Sequence, residues 1–244
     1  VGALDFAVGT APVERARRGA ASFNQQAGLA PDRRDYSSAI VTPGVVGSVA
    51  RAYNALPDFD PKALPAFHAM REEVKRQYEH MTRPESQGGM GMQHEVTQND
   101  PYGDPNEGGT QKFFGDIREG RIKTFSAAST GGHPVFSNDE NDMFRAVHDV
   151  FGHAGTGRGV DRHGEEAAFQ KHAGMFSPLA RQALATETRG QNHAMIAAGG
   201  QFQEQKVGLL RPSMSMMRFT EQGNAQERAQ ALLQAQQFHA NQGL

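Results

Sequence analysis

Cysteine and tryptophan are both absent from this 244-residue chain. The lack of cysteine removes disulfides and thiolate ligands together, so any bound metal must be held by nitrogen and oxygen. It leaves the compartment open. Long apolar runs are missing as well, and no stretch approaches the roughly 20 residues that a membrane-spanning helix requires. Neither sign of charge is in excess: 25 Lys and Arg stand against 27 Asp and Glu, a formal net charge of −2. No basic run of the kind that tracks phosphates or anionic lipid occurs, which argues against nucleic acid and membrane as partners. The glycine runs STGGH and GTGRG are not followed by Gly-Lys-Ser/Thr, so they are not a phosphate loop. The chain opens Val1-Gly2 without Met, and no basic stretch leads into an apolar run. A processed product or excised fragment is the expectation, cytoplasmic or virion-associated.

What is present suits a folded domain. Hydrophobic residues make up 37% and charged residues 21%, enough apolar material in a chain of this length for a sizeable core. The distribution is uneven. Residues 1–43 are rich in Ala, Arg and Gln and read as an extended arm, with a short helix from Pro12 to Gln26 at most. Residues 44–222 read as a metal-binding helical domain, and residues 223–244 as a Gln/Ala-rich helical tail with a thin apolar stripe (Leu232, Phe238). The expected fold class is mainly α, an irregular helical domain with little strand.

Punctuation places the helices. Asp60 caps and Pro61 suits a first helical position ahead of the stripe Leu64, Phe67, Val74, Tyr78 and Met81, predicting a helix to about Arg83. Residues 84–109 read as a long irregular connection, and Arg121–Ser126 as one short strand. Ser137 and Glu140 stand at capping-box spacing and open a helix through Phe151. Further helices are expected at about Gly164–Met175, from Ser177-Pro178 to about Thr188, and over Phe202–Leu210.

The chemistry-bearing segment is His148-Asp149-Val150-Phe151-Gly152-His153. Residues five apart on a regular α-helix diverge by about 140°, so the two imidazoles converge only if the chain leaves helical geometry between them. Gly152 is the residue that permits this. On the following helix, Ala180, Ala183 and Leu184 share a face with Glu187, and a carboxylate turned toward a core needs a partner or a metal. His148, His153 and Glu187 are therefore the expected ligands, two imidazoles and one carboxylate, the set typical of non-haem Fe(II) oxygenases. Ferrous iron is the favoured metal, with zinc as the alternative. Asp149 is expected to orient an imidazole by hydrogen bonding from outside the coordination sphere. Glu165 and His172, seven residues apart, form a second cluster offering an alternative ligand or outer support. By this reading Glu187→Gln costs most of the metal affinity and Glu165→Gln less. His163 and His193 are cavity candidates, and His133 falls in a turn.

The pair HDVFGH (148–153) and TET (186–188) resembles the aromatic amino acid hydroxylases, which carry His-Asp/Glu-x-x-Gly-His followed some tens of residues later by a Glu. GEEAAFQKHAGMFSPLARQAL and AAGGQFQEQKVGLL resemble that family's helical pattern, so the similarity covers about residues 133–210. The resemblance implies ferrous iron on His148, His153 and Glu187, a tetrahydropterin reductant and a small aromatic substrate. The family's pterin-contacting aromatic segments have no counterpart upstream, and Arg145 and Arg189 are the nearby arginines for a substrate carboxylate. The stretch from FRAVHDVFGH to TETRGQN also resembles an uncharacterised bacteriophage-encoded, virion-associated family. That implies a structural or packaged role, with other virion proteins contacted through the arm and tail. The His148-Asp149 dipeptide further matches the HD-type metal-dependent phosphohydrolases, whose Asp is itself a ligand.

Overall fold

The computed structural model describes residues 10–31, 39, 41–104 and 107–215. Helices dominate: α1 (Ala11–Ala27), α2 (Pro43–Asn54), α3 (Leu64–Thr82), α4 (Gly109–Arg118), α5 (Asn138–His148), α6 (Arg162–Ala173), α7 (Pro178–Ala185) and α8 (Gln191–Ala197). Two five-residue strands, β1 (Gln93–Thr97) and β2 (Arg121–Phe125), pair in parallel from Gln93↔Arg121 to Thr97↔Phe125. Parallel strands need a crossover, and α4 supplies it. The fold is mainly α, with one small sheet among the described residues.

The starts of the helices follow from side chains that satisfy free backbone N–H groups. The Asp60 carboxylate accepts from Lys62 N at 2.9 Å and opens a 3₁₀ turn, Pro61–Ala63, that runs into α3. At α5 the capping box is complete, Ser137 Oγ accepting from Glu140 N and Glu140 Oε2 from Ser137 N. Asp161 caps α6 and Ser177 caps α7.

The main apolar cluster runs through the body, with smaller ones where α2 meets α8. Phe67, Met70 and Val74 of α3 cluster with Val147 of α5, with Val150 just beyond it, and with Ala180, Ala183 and Leu184 of α7. α3 packs on both α5 and α7, while α2 packs on α8 and α6 on the turn that follows α5. The elements carrying His148, Glu165 and Glu187 thus belong to one packed unit.

Three expectations change. The supposed arm is in part core: Val13, Ala16, Ala20 and Phe23 of α1 are buried in the main cluster. Alanines that look weakly apolar in sequence bury completely here because a small side chain allows close helix approach. The connection over 84–109 contains β1. Residues 202–210 are not helical, since Gly199 and Gly200 at φ 69° and 90° end α8 and the chain then runs extended, Val207 bridging Phe59. Residues 1–9 of the arm and the whole tail, 223–244, lie outside the described residues.

Candidate metal centre

His148 and His153 meet by a route different from the expected turn. After α5 the backbone continues as a π-helical segment, Asp149–Ala154. Hydrogen bonding to the fifth residue widens the turn, so a residue five positions on comes back nearly over its partner. The two imidazole centroids are 5.2 Å apart, edge to face. Gly152 stays inside the helix. A Cβ there would stand 3.1 Å from Ala168 O, 3.2 Å from Ala168 Cβ and 3.3 Å from His148 Cε1. Its small size lets α6 and the His148 ring close in. Gly152→Ala is therefore expected to push the ring or α6 outward, costing about 1–3 kcal/mol as overpacking and weakening metal binding with it. Denaturant unfolding and a metal titration on the same variant check this.

α6 is buried almost all round, from His163 through Phe169, so both its acids enter the interior. His148, His153 and Glu165 each offer a ligand atom, and these atoms lie within 4.8 Å of one another. All three residues are buried. Among the described residues no other group of three or more such donors comes this close. Glu165 Oε2 lies 3.7 Å from His153 Nε2 and accepts a hydrogen bond from Asn192 Nδ2.

Glu187 sits apart from this group. It belongs to a second π-helical segment, Thr186–Gly190, and its oxygens face other partners. Gln205 Nε2 donates to Oε2 at 2.6 Å, and His133 Nε2 lies 3.2 Å from Oε1. His133 Nδ1 accepts from Val135 N and Phe136 N, both at 3.0 Å, which puts the imidazole proton on Nε2, toward Glu187. The apolar face of α7 does turn Glu187 inward. Its partners come from a glycine-rich turn and the extended 201–210 segment, which helical spacing could not reveal. The signal for Glu165 was the small-residue run Gly164-Glu165-Glu166-Ala167-Ala168 behind the Asp161 cap, the pattern of a helix that neighbours approach on every side.

The electrostatics differ sharply along the site. Burial pushes the Glu165 carboxyl up to about 8, with the Asp149 and Asp161 charges adding to the effect. Burial also raises Asp149, to about 7, against the opposing pull of Arg145. Burial lowers His153 to about 4 and holds His148 well below the usual imidazole range, His153 and His172 contributing in the latter case. The imidazoles are thus neutral and competent as ligands, beside a Glu165 carboxyl on which no cation acts.

Asp149 makes no hydrogen bond to an imidazole among the described residues. It forms part of the walls of two cavities instead. The larger, about 560 Å³, is also bounded by Phe125, Phe144, His148, Glu187 and Asn192. The other, about 320 Å³, opens on the opposite imidazole, His153, beside Tyr102, Phe113 and Arg158. Arg145 is committed to Phe125 O and Thr130 Oγ1, at 2.6 and 2.7 Å. Arg189 is buried against Glu166. His163 accepts from Val41 N, and His193 Nδ1 bonds Arg189 O, so neither is part of the cluster. His172 touches His148 but does not face the cluster with a free nitrogen.

Comparison with known proteins finds no matching family model, no similar curated protein and no similar solved structure.

Proposed function

We propose that His148, His153 and Glu165 hold a single ferrous ion, and that the protein is an O₂-dependent hydroxylase of a small aromatic or apolar molecule. The observation that carries this reading is the convergence of three buried donors within 4.8 Å beside a cavity of about 560 Å³. The donors fit the metal: two neutral imidazoles and a carboxylate with no cation beside it form the nitrogen-oxygen set that suits non-haem iron. When bound, iron supplies activation of O₂ for attack on a C–H bond.

The rest falls to the chain. Phe125 and Phe144 line the cavity and would position an apolar carbon near His148 while excluding water. Asn192 holds one oxygen of Glu165 and so fixes which way that carboxylate points. Hydroxylation needs a two-electron reductant, for which a tetrahydropterin is the proposed candidate. Among the described residues Asp149 is outside the donor cluster, so nothing favours the HD-type phosphohydrolase arrangement, which needs that Asp as a ligand.

Anaerobic reconstitution with Fe(II), followed by desalting and elemental analysis, tests the metal. About one iron per chain is expected, lost in His148→Ala. Oxygen uptake driven by a pterin or another two-electron reductant, in the presence of small aromatic compounds, tests the reaction. Iron binding without any reductant-dependent uptake would sink the hydroxylase. Two metals per chain with phosphate release would favour the phosphohydrolase.

A further inference from the structure

His172 was a candidate ligand in sequence, yet both of its ring nitrogens are already engaged. Nε2 lies 2.7 Å from Gln77 Oε1, and Nδ1 lies 3.1 Å from His148 Nδ1. Those two contacts fix where protons must sit. Gln77 is fully buried, and its Nε2 donates to Met175 O at 3.0 Å. A carbonyl only accepts, so the amide nitrogen faces Met175 and the amide oxygen faces His172. That oxygen accepts in turn, so His172 carries its proton on Nε2. The His172 ring is fully buried and, among the described residues, no carboxylate touches it, so it is neutral. Its Nδ1 is therefore a bare lone pair. Two ring nitrogens 3.1 Å apart need one proton between them, and His148 Nδ1 must supply it.

We infer that Gln77 and His172 are positioning residues that fix the tautomer of His148, so that Nε2 carries the lone pair presented to the metal. His148 Nε2 is buried and has no hydrogen-bond partner within the protein, as expected of an atom kept for a ligand. The relay also selects the tautomer that a histidine side chain disfavours in water, where the proton rests mostly on Nε2. Among the described residues no other hydrogen-bond partner reaches the His172 ring nitrogens. Around its ring stand Phe144, Phe151 and Phe176, with centroids at 6.5, 6.4 and 4.8 Å. The three-residue chain spans α3, α6 and the end of α5, so helix packing is what holds the ligand atom in place. The inference rests on His148 being a ligand only for its purpose; the tautomer itself is a property of the metal-free protein.

The test uses the metal-free full chain labelled with ¹⁵N at histidine, with His148 assigned by its loss in His148→Gln. Long-range ¹H–¹⁵N correlation should show His148 protonated at Nδ1 and bare at Nε2. A His148 protonated at Nε2 overturns the inference whatever the protein does with metal. Phe at position 172 fits the aromatic cage and deletes the acceptor. His172→Phe should shift His148 toward the Nε2-protonated form and weaken Zn(II) or Co(II) binding on the order of 10–100-fold, the range for lost outer support. Gln77→Leu should do the same through His172, and Gln77→Glu, which keeps an accepting oxygen, should restore the wild-type tautomer. Should His172→Phe and Gln77→Leu both keep the wild-type tautomer and affinity, the relay is not what sets it. A correct tautomer in a wild-type protein that binds no metal would leave the relay standing and remove the metal centre instead.

Discussion

Glu165→Gln is expected to abolish metal binding, while Glu187→Gln leaves it largely intact. Glu165 is the carboxylate within reach of both imidazoles, and its substitution removes both a ligand and the only acid in the cluster. The loss should exceed the 10–100-fold typical of outer contacts. Glu187 accepts a hydrogen bond from Gln205 on one oxygen and has His133 Nε2 3.2 Å from the other, so both oxygens have a polar neighbour without a cation. Its replacement should alter the cavity wall and leave the affinity within about 10-fold. A second readout separates the two further. In the metal-free protein burial raises the Glu165 carboxyl to about 8, so folding at neutral pH must keep protonated an acid that ionises in the unfolded chain, and that opposes folding. Glu165→Gln should therefore be at least as stable as the wild type without metal, yet gain nothing when metal is added. Thermal unfolding with and without Zn(II), beside a competition titration, reads both. If Glu187→Gln empties the site and Glu165→Gln leaves it loaded, the sequence-based assignment of Glu187 was right and the metal displaces its present partners.

Helix starts were legible because capping is local chemistry. Asp60, Ser137 and Ser177 each cap the element expected of them. His148 and His153 were legible as a pair from their spacing, although a π-helical widening rather than a turn at Gly152 brings them together. The choice of carboxylate was not. Hydrophobic spacing identifies which residues turn inward, and both Glu165 and Glu187 do. It is silent on which of them meets a partner contributed from 18 or 54 residues away, as Gln205 and His133 are to Glu187. The π-helical segments escaped for a similar reason. A period of 3.6 is assumed when reading a helix, and the two places where it fails, Asp149–Ala154 and Thr186–Gly190, carry His153 and Glu187. Such insertions concentrate at functional sites, and α1 shows the opposite error, an alanine-rich helix discounted because its burial comes from closeness rather than from large side chains.

The largest loss of stability is expected where a buried ion pair ties α6 to the second π-helical segment. Arg189 Nε donates to Glu166 Oε2 at 2.9 Å and its Nη2 to Oε1, a two-pronged contact between fully buried side chains. The guanidinium carbon stands 4.2 Å from the Phe169 ring centroid, and Nη1 donates to Met214 O at 2.8 Å. A pair this deep gains little net stability over apolar neighbours, yet breaking it strands one charge in the core. Arg189→Met should cost about 3–5 kcal/mol on that account, more than any single cap. Adding Glu166→Leu to it should recover most of the loss, because the stranded carboxylate goes with it. The unrecovered remainder is the orphaned Met214 carbonyl. Urea unfolding of the single and double variants measures the difference. Since Glu165 and Glu187 flank this pair on its two segments, metal affinity should fall with stability in the single variant and return in the double. A cost below about 1 kcal/mol for Arg189→Met would mean that water reaches the pair, and that α6 is held against the second π-helical segment by its alanines alone.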